Sequence, residues 1–154
     1  MIFSTPFIAF QTELISMFTQ ADEMSFSIFD ACMTVDEIMD ALKNMSDIHY
    51  GVISDVSCIP SSAKADSIMW RVKVRIELFS TYSGRKQVAE MVNTIGSVAT
   101  QYQNVFDARL RAGGYSVIRQ EVGESVIGSA IVANGITWQN GYINLVYHLY
   151  QLDS

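Results

Sequence analysis

Charge is scarce in this sequence. Asp, Glu, Lys and Arg make up 17% of 154 residues, against 49% hydrophobic residues. That balance excludes a disordered chain and leaves a charge-poor surface, of the kind that partners cover. No run of 18 apolar residues occurs, so no membrane-spanning helix is expected. The opening MIFSTPFIAF has neither the basic region nor the small-residue cleavage site of a signal peptide. There are only two cysteines, Cys32 and Cys58, and in a chain without an export signal both are expected to be reduced and partly buried.

Signatures of chemistry are also missing. The two histidines, His49 and His148, lie far apart, and there is no CxxC, HxxxH or HExxH spacing, so no metal site is expected from Cys32, Asp47, His49 and Cys58. There is no GxSxG elbow and no cysteine beside a candidate base. RAGGYS is not a phosphate-binding loop, and VGESVIGSAIVANG lacks the strand-then-helix context of a dinucleotide site. The paired carboxylates Asp36 and Glu37 are accounted for by a helix start. The expectation is a protein that is not an enzyme and carries no cofactor.

What charge there is falls unevenly. Residues 1–63 hold nine acids and one base, a net −8, whereas residues 64–154 hold seven acids and nine bases, a net +2. A chain divided in this way can be complementary to copies of itself, head against tail. Chance segregation on a solvated surface is the other reading, and the sequence leaves both open. Arg71, Lys73, Arg75, Arg85, Lys86, Arg109, Arg111 and Arg119 could form a basic patch. A pI near 4.7 nevertheless argues against a dedicated nucleic-acid binder.

Along the chain, a helix is expected from about Pro6 to Gln20, with Thr5 as its cap and Phe7, Phe10, Leu14, Met17 and Phe18 on one face. A short strand follows at Ser25–Ala31. In MTVDEIMDALKN, Thr34 and Glu37 have the spacing of a capping box, with Met33 and Ile38 placed as a hydrophobic staple, which predicts a short helix over 35–43. Ile48–Ile59 reads as a strand, bulged at Gly51, and Pro60–Ser67 as a mobile hairpin loop.

The stretch WRVKVRIEL alternates strictly. Trp70, Val72, Val74, Ile76 and Leu78 point to a core, and Arg71, Lys73, Arg75 and Glu77 to the opposite face. It ends in the turn FSTYSGRK, in which Ser83 is expected to cap the next helix. Arg85 and Lys86 then fall in a first helical turn, where cations oppose the helix dipole. Solvent screening or an acidic neighbour could each offset this. Val88, Met91, Val92, Ile95, Val98, Ala99 and Tyr102 form a long amphipathic stripe that can continue, with a kink or break, to Gly113-Gly114. Strands at YSVIRQE and SVIGSAIVA, an Asn134-Gly135 hairpin and a final strand YINLVYHLYQL complete the chain. Residues 1–154 are thus expected to form a single α+β domain. It should have a mainly antiparallel sheet, with an N-terminal helix, a short capped helix and one long amphipathic helix packed on one face.

RVKVRIELFSTYSGRKQVAEMVNTIGSVA, followed by GGYSVIRQE, a hairpin and a closing strand, resembles the tail terminator (tail completion) proteins of long-tailed, siphovirus-type bacteriophages. The resemblance spans residues 70–152, and 5–60 more loosely. It implies a virion structural protein that forms a hexameric ring at the head-proximal end of the tail. Such a ring stops tube polymerisation and meets the head–tail connector. Its partners would be copies of itself, the tail tube protein and the connector, with no membrane. Genomic DNA would pass through the lumen without sequence-specific contact. Assembly would take place in the host cytoplasm. Under this reading Arg71, Lys73, Arg75, Glu77, Tyr82, Arg85 and Lys86 are the expected subunit or tube contacts. The alternatives are another neck or head-completion protein, or a small-ligand-binding α+β module with a concave apolar pocket.

Overall fold

A computed structural model of the chain describes residues 2–30, 34–64 and 67–152. The elements run α1 (Phe7–Gln20), β1 (Ser27–Asp30), α2 (Val35–Ala41), β2 (His49–Lys64), β3 (Ser67–Ser80), α3 (Lys86–Gln101), α4 (Gln103–Ala112), β4 (Tyr115–Ile127), β5 (Ile131–Ala133) and β6 (Ile136–Gln151). This is an α+β fold on a mostly antiparallel, mixed, open sheet. The strand order is β1-β2-β3-β6-β4, with β5 on β6, and the one parallel pair is β1 with β2.

The alternation in β3 decides the architecture. Val72, Val74, Ile76 and Leu78 are fully buried, and across the ladder Ile143, Leu145, Tyr147 and Leu149 of β6 join them. Phe10 and Leu14 of α1, Ile95 and Val98 of α3, and Phe106 and Leu110 of α4 close over that face. Phe10, Phe106 and Tyr147 form an aromatic triangle at its centre, with ring centroids 5.1–5.6 Å apart.

Several sequence expectations change. The long stripe forms α3, and the break allowed after it falls at Tyr102, whose backbone (φ −95°, ψ 13°) leaves the helical region so that α4 turns to pack on α1 and β4. The short helix has its capping box, with Thr34 and Glu37 exchanging two bonds of 3.2 Å, and spans Val35–Ala41. Met33, the other half of the expected staple, lies outside the described residues.

That helix does not share a face with the others. Ile38 and Leu42 cluster with Phe29, Tyr50, Val52 and Phe79, which alternate with the core positions Ile28, Gly51, Ile53 and Leu78. The parallel β1–β2 pair needs a crossover, and α1 already occupies the core face beside β1.

Local corrections follow the same logic. Pro6, not Thr5, stands at the start of α1, and Phe7 is exposed. The bulge in β2 falls between Ile53 and Asp55, not at Gly51. A Cβ at Gly51 would come within 3.2–3.3 Å of Leu78 and Ile76, so glycine serves close packing there. Pro60–Lys64 continues β2 against β3, with a second register shift between Pro60 and Ser62, so these residues of the expected loop are strand; Ala65 and Asp66 lie outside the described residues.

Candidate interface on the open sheet face

Strand β3 places Arg71, Lys73, Arg75 and Glu77 on the face opposite the main core. On β2 they stand opposite Ile59, Ser57, Asp55 and Val52, and on β6 opposite His148, Val146, Asn144 and Tyr142. Helix α2 and the aromatic cluster around Tyr50 cover one end of this face. The rest carries no helix.

Arg75 is held flat against the sheet. Its guanidinium carbon lies 4.1 Å from the Tyr142 ring centroid, and its Nε donates to Asn144 Oδ1 at 3.2 Å. Tyr142 in turn donates its hydroxyl to Glu124 at 2.8 Å. That bond is the main reason its ionisation is shifted upward. Glu124, Tyr142, Arg75 and Asn144 thus form a continuous polar chain across three strands. Toward the other end, Arg119 pairs with Glu121, whose carboxylate lies 3.8 Å from His148 Nε2. Among the described residues Arg71, Lys73, Arg75, Glu77, Arg85 and Lys86 make no ion pair.

The turn after β3 forms a second, separate group. Thr81 ties it to the start of β2: its N–H donates to Ile48 O at 2.9 Å, and its Oγ1 accepts from Ile48 N–H at 2.9 Å. Ser80 donates to Gln87 of α3 and accepts from Tyr82 N–H at 3.0 Å. Gly84 has φ +102°, a conformation that favours glycine. Ser83 does not cap α3. Arg85 stands at the cap position with no side-chain bond to the helix. Lys86 lines a shallow depression of about 150 Å³ together with Asp47, Tyr82, Gln87 and Glu90, so carboxylates of its own chain lie near this cation.

The expected contact residues therefore fall into two groups rather than one. Arg71, Lys73, Arg75 and Glu77 share the open face of β3. Tyr82, Arg85 and Lys86 are exposed beyond its C-terminal end. Tyr142, Asn144, His148, Arg119, Glu121 and Glu124 complete the face without having been expected there. Tyr142, Asn144 and His148 alternate along β6, and Arg119, Glu121 and Glu124 come from β4 beside it.

No protein-family model matches the chain, and no curated protein does. Among the described residues no three His, Cys, Asp or Glu side chains come together as metal ligands, and no helix is long and apolar enough to cross a membrane. Cys58 is half-buried, and burial pushes its thiol up to about 11, so it stays protonated at neutral pH.

Proposed function

We propose that the chain is a structural subunit of a phage tail, a tail terminator whose copies close into a ring, six in number by the resemblance of residues 70–152. That ring would cap the tail tube, stop its growth and join it to the head connector. The subunit would assemble in the host cytoplasm and remain in the virion.

The observation that carries this reading is the charge arrangement on the open sheet face. Arg71, Lys73 and Arg75 lie uncovered and free of ion pairs among the described residues, while the same face is covered at its other end by α2, with exposed Asp36, Glu37 and Asp40. The β3 cations stand among Asp55, Glu77, Glu121 and Glu124 on that face, and the exposed carboxylates of α2 give its other end the stronger acidic bias. Copies set side by side can then match opposite charges, which favours association and fixes its direction.

Mass in solution, with and without purified tail tube protein, tests the reading. Rings formed by the chain alone, or on addition of tube protein, support it. A chain that stays monomeric in both conditions rules it out.

A further inference from the structure

The β5–β6 hairpin turns on Asn134 (φ 52°) and Gly135 (φ 76°), the two-residue geometry that suits a right-twisted ribbon. Strand β3 pairs with β6 only from Gln139 onward, so the hairpin stands clear of the sheet. It carries no charge, and its exposed side chains are mainly apolar, Thr137 beside Val132 being polar. Ile131 and Ile136 (53% and 36% exposed) share a face with Trp138, and Val132 (71% exposed) lies on the other. From Ser125 to Leu152 the sequence has no Asp, Glu, Lys or Arg. Edges that remain in water are normally guarded by charges, proline or a bulge, and this tip has none of these.

The main-core side of the sheet carries a matching concavity. Between α3 and β4 runs an open groove of about 580 Å³, lined by Val92, Gly96, Ser97, Val122 and Ile143 among others, with no charged side chain. Gly96 leaves the groove wide, since a Cβ there would meet nothing within 4 Å. The hairpin cannot reach its own groove. Ile136 lies seven residues along β6 from Ile143, roughly 23 Å at the strand rise, and the tip points away.

We propose that the β5–β6 hairpin of one copy inserts as an apolar wedge into the α3/β4 groove of a second copy. The proposal rests on the reading that copies of this chain associate. Both surfaces are uncharged, so the contact buries no unpaired charge. It joins two different surfaces, which makes it heterologous: it propagates and closes only as a ring.

Two variants test this by sedimentation over the concentrations at which the unmodified chain associates. Val132→Asp puts a charge on the hairpin, and Gly96→Phe fills the groove. Both sites are solvent-accessible, so folding should persist, as circular dichroism would verify. Each variant alone should be monomeric. Their mixture should form a one-to-one heterodimer and nothing larger, because one intact hairpin then meets one intact groove. Self-association of Val132→Asp, as a symmetric contact elsewhere would give, overturns the proposal, as does a mixture that stays monomeric. Association unchanged in both variants overturns this contact while leaving the ring reading standing. A native chain that is monomeric even with tube protein defeats both.

Discussion

The guanidinium of Arg75 lies 4.1 Å over the ring of Tyr142, on the strand beside it, and both residues belong to the face that the helices of the main core leave open. The pair fixes an arginine flat on the sheet, with Asn144 holding its Nε. Arg75 is half-buried, and one cation–π contact is worth about 0.5–1 kcal/mol at such a site. Arg75→Ala also leaves the buried Asn144 Oδ1 without its donor, and should lower chemical-denaturation stability by about 1–3 kcal/mol. If the open face is an interface, the same change should weaken association at least tenfold by sedimentation. Association unchanged by the substitution removes Arg75 from the interface. Tyr142→Phe keeps the ring and should be milder on both counts.

Tyr147 and Gln120 stand opposite each other in the β6–β4 ladder, and Tyr147 Oη and Gln120 Oε1 are buried without a hydrogen-bond partner. Burial also pushes the Tyr147 hydroxyl well above the usual tyrosine range. An unpartnered buried hydroxyl carries its desolvation cost with nothing to offset it. Tyr147→Phe retains the ring against Phe10 and Phe106 and should leave stability unchanged or raise it by up to about 1 kcal/mol. Tyr147→Ala should cost about 3–5 kcal/mol by emptying the centre of the core. A clear loss in the phenylalanine variant, measured by urea titration, would mean that the hydroxyl is satisfied in solution.

Asp107 of α4 links the helix layer to the edge strand β4. Its Oδ1 accepts from Val117 N–H at 2.7 Å and from Ser116 Oγ at 3.3 Å, and its Oδ2 meets Arg111 Nε at 3.1 Å. Burial alone would raise its ionisation, but the Val117 N–H, Arg111 and Ser116 outweigh that and hold the carboxyl below its usual range. A depressed folded value means that the stabilisation is full above the ordinary aspartate range, near pH 4, and is lost as pH falls through the folded value. Asp107→Asn should cost about 1 kcal/mol at pH 7, and the difference from the native chain should shrink as pH falls through the depressed folded value. A pH-independent difference would show that Asp107 acts through shape rather than charge.

Local signals carried well from sequence to structure. The Thr34–Glu37 capping box and the two-faced alternation of Trp70–Leu78 rest on neighbouring residues, and both are present. Parity says which residues share a face, but not which strand lies alongside. The Arg75–Tyr142–Glu124 chain, built from residues far apart in sequence, therefore had no signature. The side of the sheet that α2 covers was equally silent, because its apolar stripe suits either face. It follows from the parallel β1–β2 pairing, a long-range fact. Gly51 misled for a related reason: the close approach of Leu78 and Ile76 that requires glycine exists only once β2 and β3 are paired.

Arg85 stands at the cap position of α3 without a side-chain bond to it, and Lys86 follows in the first turn. A cation there opposes the helix dipole and an aspartate would complement it, a change worth about 0.5–1 kcal/mol of stabilisation. Arg85→Asp should therefore raise the thermal midpoint of the monomer. If the turn meets an acidic surface of a neighbouring copy or of the tube, the same substitution should weaken assembly, because a complementary charge is reversed. The opposite signs separate the two roles: a merely solvated arginine predicts a more stable chain that assembles as before. Calorimetry of the monomer and sedimentation with tube protein, on the same preparation, decide between them.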